Sequence, residues 1–215
     1  RFSIEEAERS GRMVADANAV SFAWDDRKIV EGFSTTIIRG DRVGIIGPNG
    51  CGKTTLVRRV LEQLRDLRLV GFYTQELRDD AGRRVGFQAI ALNGGSATLA
   101  SVGSKSKIRV GKYGVELPDF DLLLDNEFNR KAADVDLFVV DEIGKMECFS
   151  RRFVGLIGRL LDGDVPVLAT IAMKSGGIIT AVKQRSDVEL VHVHEGNRDR
   201  LAGELAERIR DETTR

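Results

Sequence analysis

The chain has 215 residues in which 33 Lys and Arg balance 33 Asp and Glu. That length accommodates one large domain, or a domain with an appendage, and the cancelled charge excludes a global field drawing the chain to nucleic acid or an anionic membrane. The absence of a run of about 18 apolar residues, the charged start, and two distant cysteines, Cys51 and Cys148, exclude a membrane span, a signal peptide and a disulfide framework, so a soluble cytoplasmic protein is expected.

Residues 1–12 are polar and rich in Glu and Arg, as in a frayed tail or short surface helix. Met13 to Trp24 reads as a strand, with Val20, Phe22 and Trp24 alternating against Ser21 and Ala23. Asp25-Asp26 is turn chemistry, and Lys28 to Ile38 is a second extended run, so an antiparallel hairpin is expected ahead of the main fold. Arg39-Gly40-Asp41 then turns the chain into the apolar strand Arg42 to Ile46.

Gly47-Pro48-Asn49-Gly50-Cys51-Gly52-Lys53-Thr54 follows, which fits the phosphate-binding pattern G-x-x-x-x-G-K-[ST]. It has the required context, because Leu56, Val57, Val60, Leu61 and Leu64 after it share one helical face. The glycines let successive N–H groups point at one spot, and the helix start adds unsatisfied N–H groups and its positive dipole end. An anion site for nucleotide phosphates is expected, with Thr55 included in the cradle. Lys53 can reach the β- and γ-phosphates, and the Thr54 hydroxyl can ligate Mg²⁺.

Downstream, Leu69 to Leu77 reads as a strand, and Arg84 to Leu92 as its hairpin-like partner after Asp79-Asp80-Ala81-Gly82. Residues 93–117 suggest a β-hairpin and a loop, and Phe120, Leu123, Leu124 and Phe128 mark a helix. Val135 to Val140 reads as a strand buried on both faces. A helix from Phe149 to Leu161, a strand Val165 to Ile171, a helix around Ile178 to Lys183, a strand Val188 to Val193 and a last helix through Leu201, Leu205 and Ile209 complete the alternation. Right-handed crossovers imply one parallel sheet with helices on both faces. The expected fold is an α/β P-loop NTPase (RecA/ASCE-like) three-layer sandwich with a mainly parallel central sheet, a hairpin at 13–40 and a core at 41–211 in a single domain.

Val139-Val140-Asp141-Glu142 has the Walker B pattern, a carboxylate at the carboxyl end of a buried strand, facing the crevice where open α/β sheets bind ligands. Asp141 is expected to hold Mg²⁺, and Glu142 to polarise an attacking water as general base. Thr170 ends the strand expected between those of the P-loop and Asp141, where a hydroxyl can sense the γ-phosphate or position water. His192 and His194 share a strand face without a third ligand nearby, which speaks against zinc.

Two resemblances add to this reading. Ala19 to Trp24, Phe33 to Ile37 and Gly40 to Gly50 resemble the start of an ATP-binding-cassette domain of the soluble ABC-F class, which implies that Trp24 stacks on adenine; a tryptophan packed in the hairpin core is the alternative. No Leu-Ser-Gly-Gly-Gln signature follows. Instead Gly71 to Arg78, Val110 to Val115, Val140-Asp141-Glu142-Ile143-Gly144-Lys145-Met146-Glu147 and Glu195 to Arg198 resemble the small nucleoside-triphosphatase family of the thermophilic and cancer-related type. The chain thus reads as a chimera, ABC-F-like over residues 1–55 and NTPase-like over 47–211. The second resemblance implies that Asn197 and Arg198 help bind nucleotide, with Arg198 as the cation offsetting charge in phosphoryl transfer. It also leaves open what Gln75, Glu76, Lys145 and Glu147 do. The function expected is slow Mg²⁺-dependent hydrolysis of ATP, GTP or related triphosphates by a monomer. The alternatives are a nucleotide-binding module without turnover, or a nucleotide kinase using arginines such as Arg83, Arg84 and Arg109.

Overall fold

The computed structural model describes residues 13–24, 27–38, 42–174, 176–194 and 196–213, with residues 13–38 and 211–213 as backbone alone. Two compact units divide the chain, Arg1–Asp41 and Arg42–Arg215. In the first, β1 (Met13–Trp24) pairs antiparallel with β2 (Arg27–Ile38), with Val20 opposite Phe33 and several register shifts. The side chain of Trp24 lies outside the described residues.

The second unit starts with β3 (Arg42–Ile46) and α1 (Lys53–Gln63), then β4 (Leu69–Arg78), β5 (Arg84–Ala91), β6 (Ser96–Ser101), β7 (Arg109–Val110) and β8 (Tyr113–Val115). It continues with α2 (Leu117–Glu127), β9 (Leu137–Ile143), α3 (Arg151–Asp162), β10 (Val167–Ile171), α4 (Ile178–Lys183), β11 (Val188–His192) and α5 (Arg198–Thr213). One sheet holds all nine strands in the order β11-β3-β10-β9-β4-β5-β6-β8-β7. The first five pair parallel, and from β4 onward the pairing is antiparallel.

The expectation of one parallel sheet is therefore corrected to a mixed sheet with a parallel half. The cause is local. Asp79 accepts N–H bonds from Ala81 and Arg83 on its carboxylate, and its own N–H donates to the Arg83 carbonyl. This closes a tight turn that sends the chain straight back along β4, leaving no room for a crossover helix. β9 begins at Leu137, later than the apolar run suggests, because residues 132–134 form a 3₁₀ turn and the Asp136 carboxylate is held by Arg68.

The parallel half reads as continuous apolar sequence because both faces are covered. Val43, Ile45, Leu137, Val139 and Leu168 pack with α1 and α5 on one side. Ile46, Val70, Phe72, Val140, Ala169 and Ile171 pack with α2, α3 and α4 on the other. Phe72, Phe120 and Phe153 meet there with ring centroids 5.5–6.2 Å apart, joining β4, α2 and α3. Ser150 caps α3, its Oγ accepting the Phe153 N–H at 3.0 Å.

Gly71 holds β4 against β9. Its φ is +153°, and a Cβ there would run into the carbonyl of Val139. Its N–H donates to the buried Glu127 carboxylate at 2.8 Å, and Asn93 Nδ2 donates to the same oxygen at 2.8 Å. Gly71→Ala combines an unfavourable φ with a backbone clash. It is expected to cost roughly 3 kcal/mol or more, measured as a fall in urea midpoint at unchanged m-value.

Candidate functional site

The carboxyl ends of β3, β9 and β10 meet at one edge of the sheet, and the loop between β3 and α1 wraps over it. Gly50 and Gly52 take φ of +83° and +96°, conformations that favour glycine, and α1 starts at Lys53 with no side chain capping it. Its first N–H groups are therefore left for an anion. Gly47 is buried, and a Cβ on it would meet the Val193 carbonyl at 2.5 Å and Cys51 Sγ at 2.7 Å. Cys51 itself packs into the core beneath α1 and α5, while Pro48, Asn49, Gly50 and Thr55 are exposed.

Lys53 is 8 % exposed, and its Nζ donates to the Gly47 carbonyl at 3.0 Å while standing 3.9 Å from Glu142 Oε1. The amine thus spans the P-loop and the end of β9. Asp141, one residue earlier on β9, is almost fully buried. Thr170 Oγ1 donates to its Oδ1 at 2.5 Å, and Thr74 Oγ1 donates to its backbone carbonyl at 2.6 Å. Oδ2 is buried without a hydrogen bond of normal geometry. Burial pushes the Asp141 carboxyl above the usual range, opposed by the Thr170 and Thr54 hydroxyls, the Thr74 backbone N–H and the Lys53 charge. Burial also raises Glu142, with the charges of Lys53 and Lys183 opposing and that of Asp141 adding.

Buried Asp141 Oδ2 and the nearby Thr54 hydroxyl are oxygen donors suited to a hard divalent cation. Among the described residues no group of three or more His, Cys, Asp or Glu forms a cage. A cation here would complete its shell with water and phosphate oxygens, as Mg²⁺ does.

The structure gives several sequence-derived residues a definite partner. Thr170 lies in the expected strand, between β3 and β9, but its hydroxyl is spent on Asp141. Asn197 holds its own loop: Oδ1 accepts the His194 N–H and Nδ2 donates to the His192 carbonyl, both at 2.9 Å. Arg198 lies against the P-loop, where a Cβ on Gly52 would meet its Cδ and Nη1 at 2.6 Å. Gln75 is exposed, and Glu76 is tied to Arg84 at 2.7 Å, which lowers its pKa, with Arg78 at 2.5 Å adding to the shift. Arg83 pairs with Asp79, Arg84 with Glu76 and Tyr113, and Arg109 with the carbonyls of Ser104 and Lys112.

Sequence reasoning missed Glu147. The sequence leaves Glu147 open between a pairing with Lys145, a contact with the phosphates and a place on the surface; in the structure Lys145 is exposed and Glu147 is 5 % exposed. Burial pushes its carboxyl up to about 8, with Glu142 and Asp141 adding to the shift. Gly144, two residues after the Asp-Glu pair, was the available signal, since it leaves space on the inner side of the turn.

Comparison with known proteins finds matches over most of the chain. A family model described as NTPase matches residues 42–206. It takes in β3 and the whole P-loop, so the match reaches five residues ahead of Gly47. The nucleoside-triphosphatase THEP1 of Thermotoga sp. (strain RQ2) is 38 % identical over 164 residues, 76 % of this chain and 92 % of the relative. A mouse cancer-related nucleoside-triphosphatase homolog is 34 % identical over 187 residues, covering 80 % of this chain and 98 % of its own. The crystal structure of THEP1 from Aquifex aeolicus superposes with a TM-score of 0.69 at 32 % identity, covering 76 % and 96 % of the two chains. The solution structure of a human cancer-related nucleoside triphosphatase gives 0.68 at 31 %, covering 80 % and 98 %.

Proposed function

We propose that this chain, which belongs to the NTPase family and is a nucleoside-triphosphatase, hydrolyses its substrate within a single subunit, with Glu142 as the general base. The observation that carries this reading is the convergence of Lys53, Glu142 and the unpartnered Asp141 Oδ2 beside one uncapped helix start. All of these groups come from one chain.

The N–H groups of the P-loop and the first turn of α1 bind the phosphates, and Lys53 leaves the Gly47 carbonyl to bridge β- and γ-oxygens. Asp141 Oδ2 and the Thr54 hydroxyl would hold Mg²⁺. When bound, that ion would offset negative charge on the triphosphate. Glu142 orients a water in line with the γ-phosphorus and takes its proton as the new P–O bond forms and the bond to the β-phosphate oxygen breaks. Burial has raised its proton affinity toward the working pH, which suits that role. Arg198, packed on Gly52, offsets charge that builds up in the transition state.

The engagement of Arg83, Arg84 and Arg109 with local partners leaves them unavailable as a ready-made acceptor pocket, which favours hydrolysis over phosphoryl transfer to a second nucleotide. The NTPase match begins at residue 42 and so takes β3 and the P-loop out of the ABC-F reading of residues 1–55; for residues 1–41, with Trp24 as a base-stacking surface, that reading rests on sequence alone. Among the described residues no helix is long and apolar enough to cross a membrane.

The assay is phosphate release from ATP and from GTP with Mg²⁺, repeated in excess EDTA. Release with both nucleotides that stops in EDTA is expected. Tight nucleotide binding without release in either case would select a binding module instead.

A further inference from the structure

Among the described residues four charged side chains are buried to a few per cent: Lys53, Glu127, Asp141 and Glu147. Two of them form the phosphate site, and Glu127 closes on the Gly71 N–H and Asn93. Glu147 is left without a role.

It sits inside the turn that joins β9 to α3. Cys148 N–H donates to the Gly144 carbonyl at 3.1 Å, Ser150 N–H to the Glu147 carbonyl at 3.0 Å, and Ala172 N–H to the Ile143 carbonyl at 3.2 Å. These bonds tie the turn to itself and to the end of β10. Within it, the Glu147 and Gly144 N–H groups oppose the rise that burial imposes on the Glu147 carboxyl. A Cβ on Gly144 would meet Glu147 Oε2 at 2.6 Å, and Cγ and Cδ of Glu142 at 3.5 Å. The stem of Glu142 and the carboxyl of Glu147 therefore lie against one bare face of Gly144, a face that any other residue would fill. Glu142 sits two residues before that face, and its Oε1 reaches to 3.9 Å from Lys53.

We propose that Glu147 is a positioning residue. Its buried carboxyl, filling the face of Gly144 beside the Glu142 stem, fixes the direction in which Glu142 reaches from β9 toward Lys53 and the attacking water. This rests on the reading of Glu142 as the base. A carboxylate free to swing back into the turn would lose its water, and misplacement by about 1 Å costs on the order of a hundredfold in rate. Phosphate binding, made by the loop before α1, has no part in this turn.

The test separates kcat from nucleotide affinity, using ADP with Mg²⁺ in calorimetry as the binding probe. Glu147→Ala is expected to lower kcat roughly ten- to a hundredfold while ADP affinity stays within about twofold. Glu147→Gln, of the same size and filling the same face of Gly144, restores most of the rate. Gly144→Ala pushes the same carboxyl aside and lowers kcat in the parent, but costs little more once Glu147 is already alanine. A parental kcat in Glu147→Ala, equal losses of kcat and ADP affinity, or no rescue by glutamine overturns the proposal. If Glu147→Ala does not fold, a parental kcat in Gly144→Ala does so instead. Glu142→Gln run alongside distinguishes the two readings. A full rate there removes Glu142 as base, whereas a slow Glu142→Gln beside a fully active Glu147→Ala removes the positioning role alone.

Discussion

Glu142→Gln is expected to lower the single-turnover rate of phosphate release by roughly 10²–10⁴-fold, the range over which a positioned base contributes. Nucleotide affinity should not follow. The substitution keeps the side chain's length and its place at the end of β9, and removes only the charge and the ability to take a proton. It also removes the carboxylate 3.9 Å from Lys53 Nζ, which frees that amine for the phosphates, so equal or tighter binding is expected. Rapid mixing of excess enzyme with ATP and Mg²⁺, followed by quench and phosphate measurement, isolates the chemical step from product release. An unchanged rate would falsify the assignment of the base.

This assignment came from sequence more directly than any other part of the site. A buried strand that ends in two carboxylates has few stable uses, and β9 places Asp141 and Glu142 where that pattern predicts. The parallel strands were legible for a related reason, since Val43, Ile45, Val139 and Leu168 are covered on one face and Ile46, Val140, Ala169 and Ile171 on the other, which leaves uninterrupted apolar runs. The antiparallel flank was legible only in outline. β7 and β8 are two and three residues long, too short to show a period of two, so nothing in 93–117 announces that they extend the same sheet.

Side-chain partners were the least legible layer. Thr170 and Asn197 stand at the expected edge, but whether a hydroxyl or amide faces substrate or its own backbone depends on neighbours distant in sequence. Thr170 found Asp141 and Asn197 found its own loop. Glu147 is the extreme case. A carboxylate two residues after Lys145, in the turn that follows a strand, reads as surface, because burying an ionised carboxyl is costly. The chain avoids that cost by keeping the group protonated near neutral pH, a choice visible only once the turn closes over it.

That protonation has a measurable consequence. Glu147 titrates near its ordinary 4.5 in the unfolded chain and at about 8 in the fold. Below pH 4.5 both states carry the proton and the group leaves stability unchanged. As pH rises, the unfolded chain releases the proton first, so the native state is progressively disfavoured until it too ionises near 8. The gap corresponds to roughly 5 kcal/mol, of which roughly 4 falls between pH 5 and 9, a large share of a typical folding free energy. Asp141 and Glu142 shift in the same direction and remain in Glu147→Gln, so the difference between parent and variant isolates Glu147. Urea unfolding at pH 5, 7 and 9 is expected to show parental stability falling steeply while the variant falls by roughly 4 kcal/mol less. Parallel curves would mean that the carboxyl is already ionised at pH 5 within the fold, stabilised by the Glu147 and Gly144 N–H groups despite the surrounding burial.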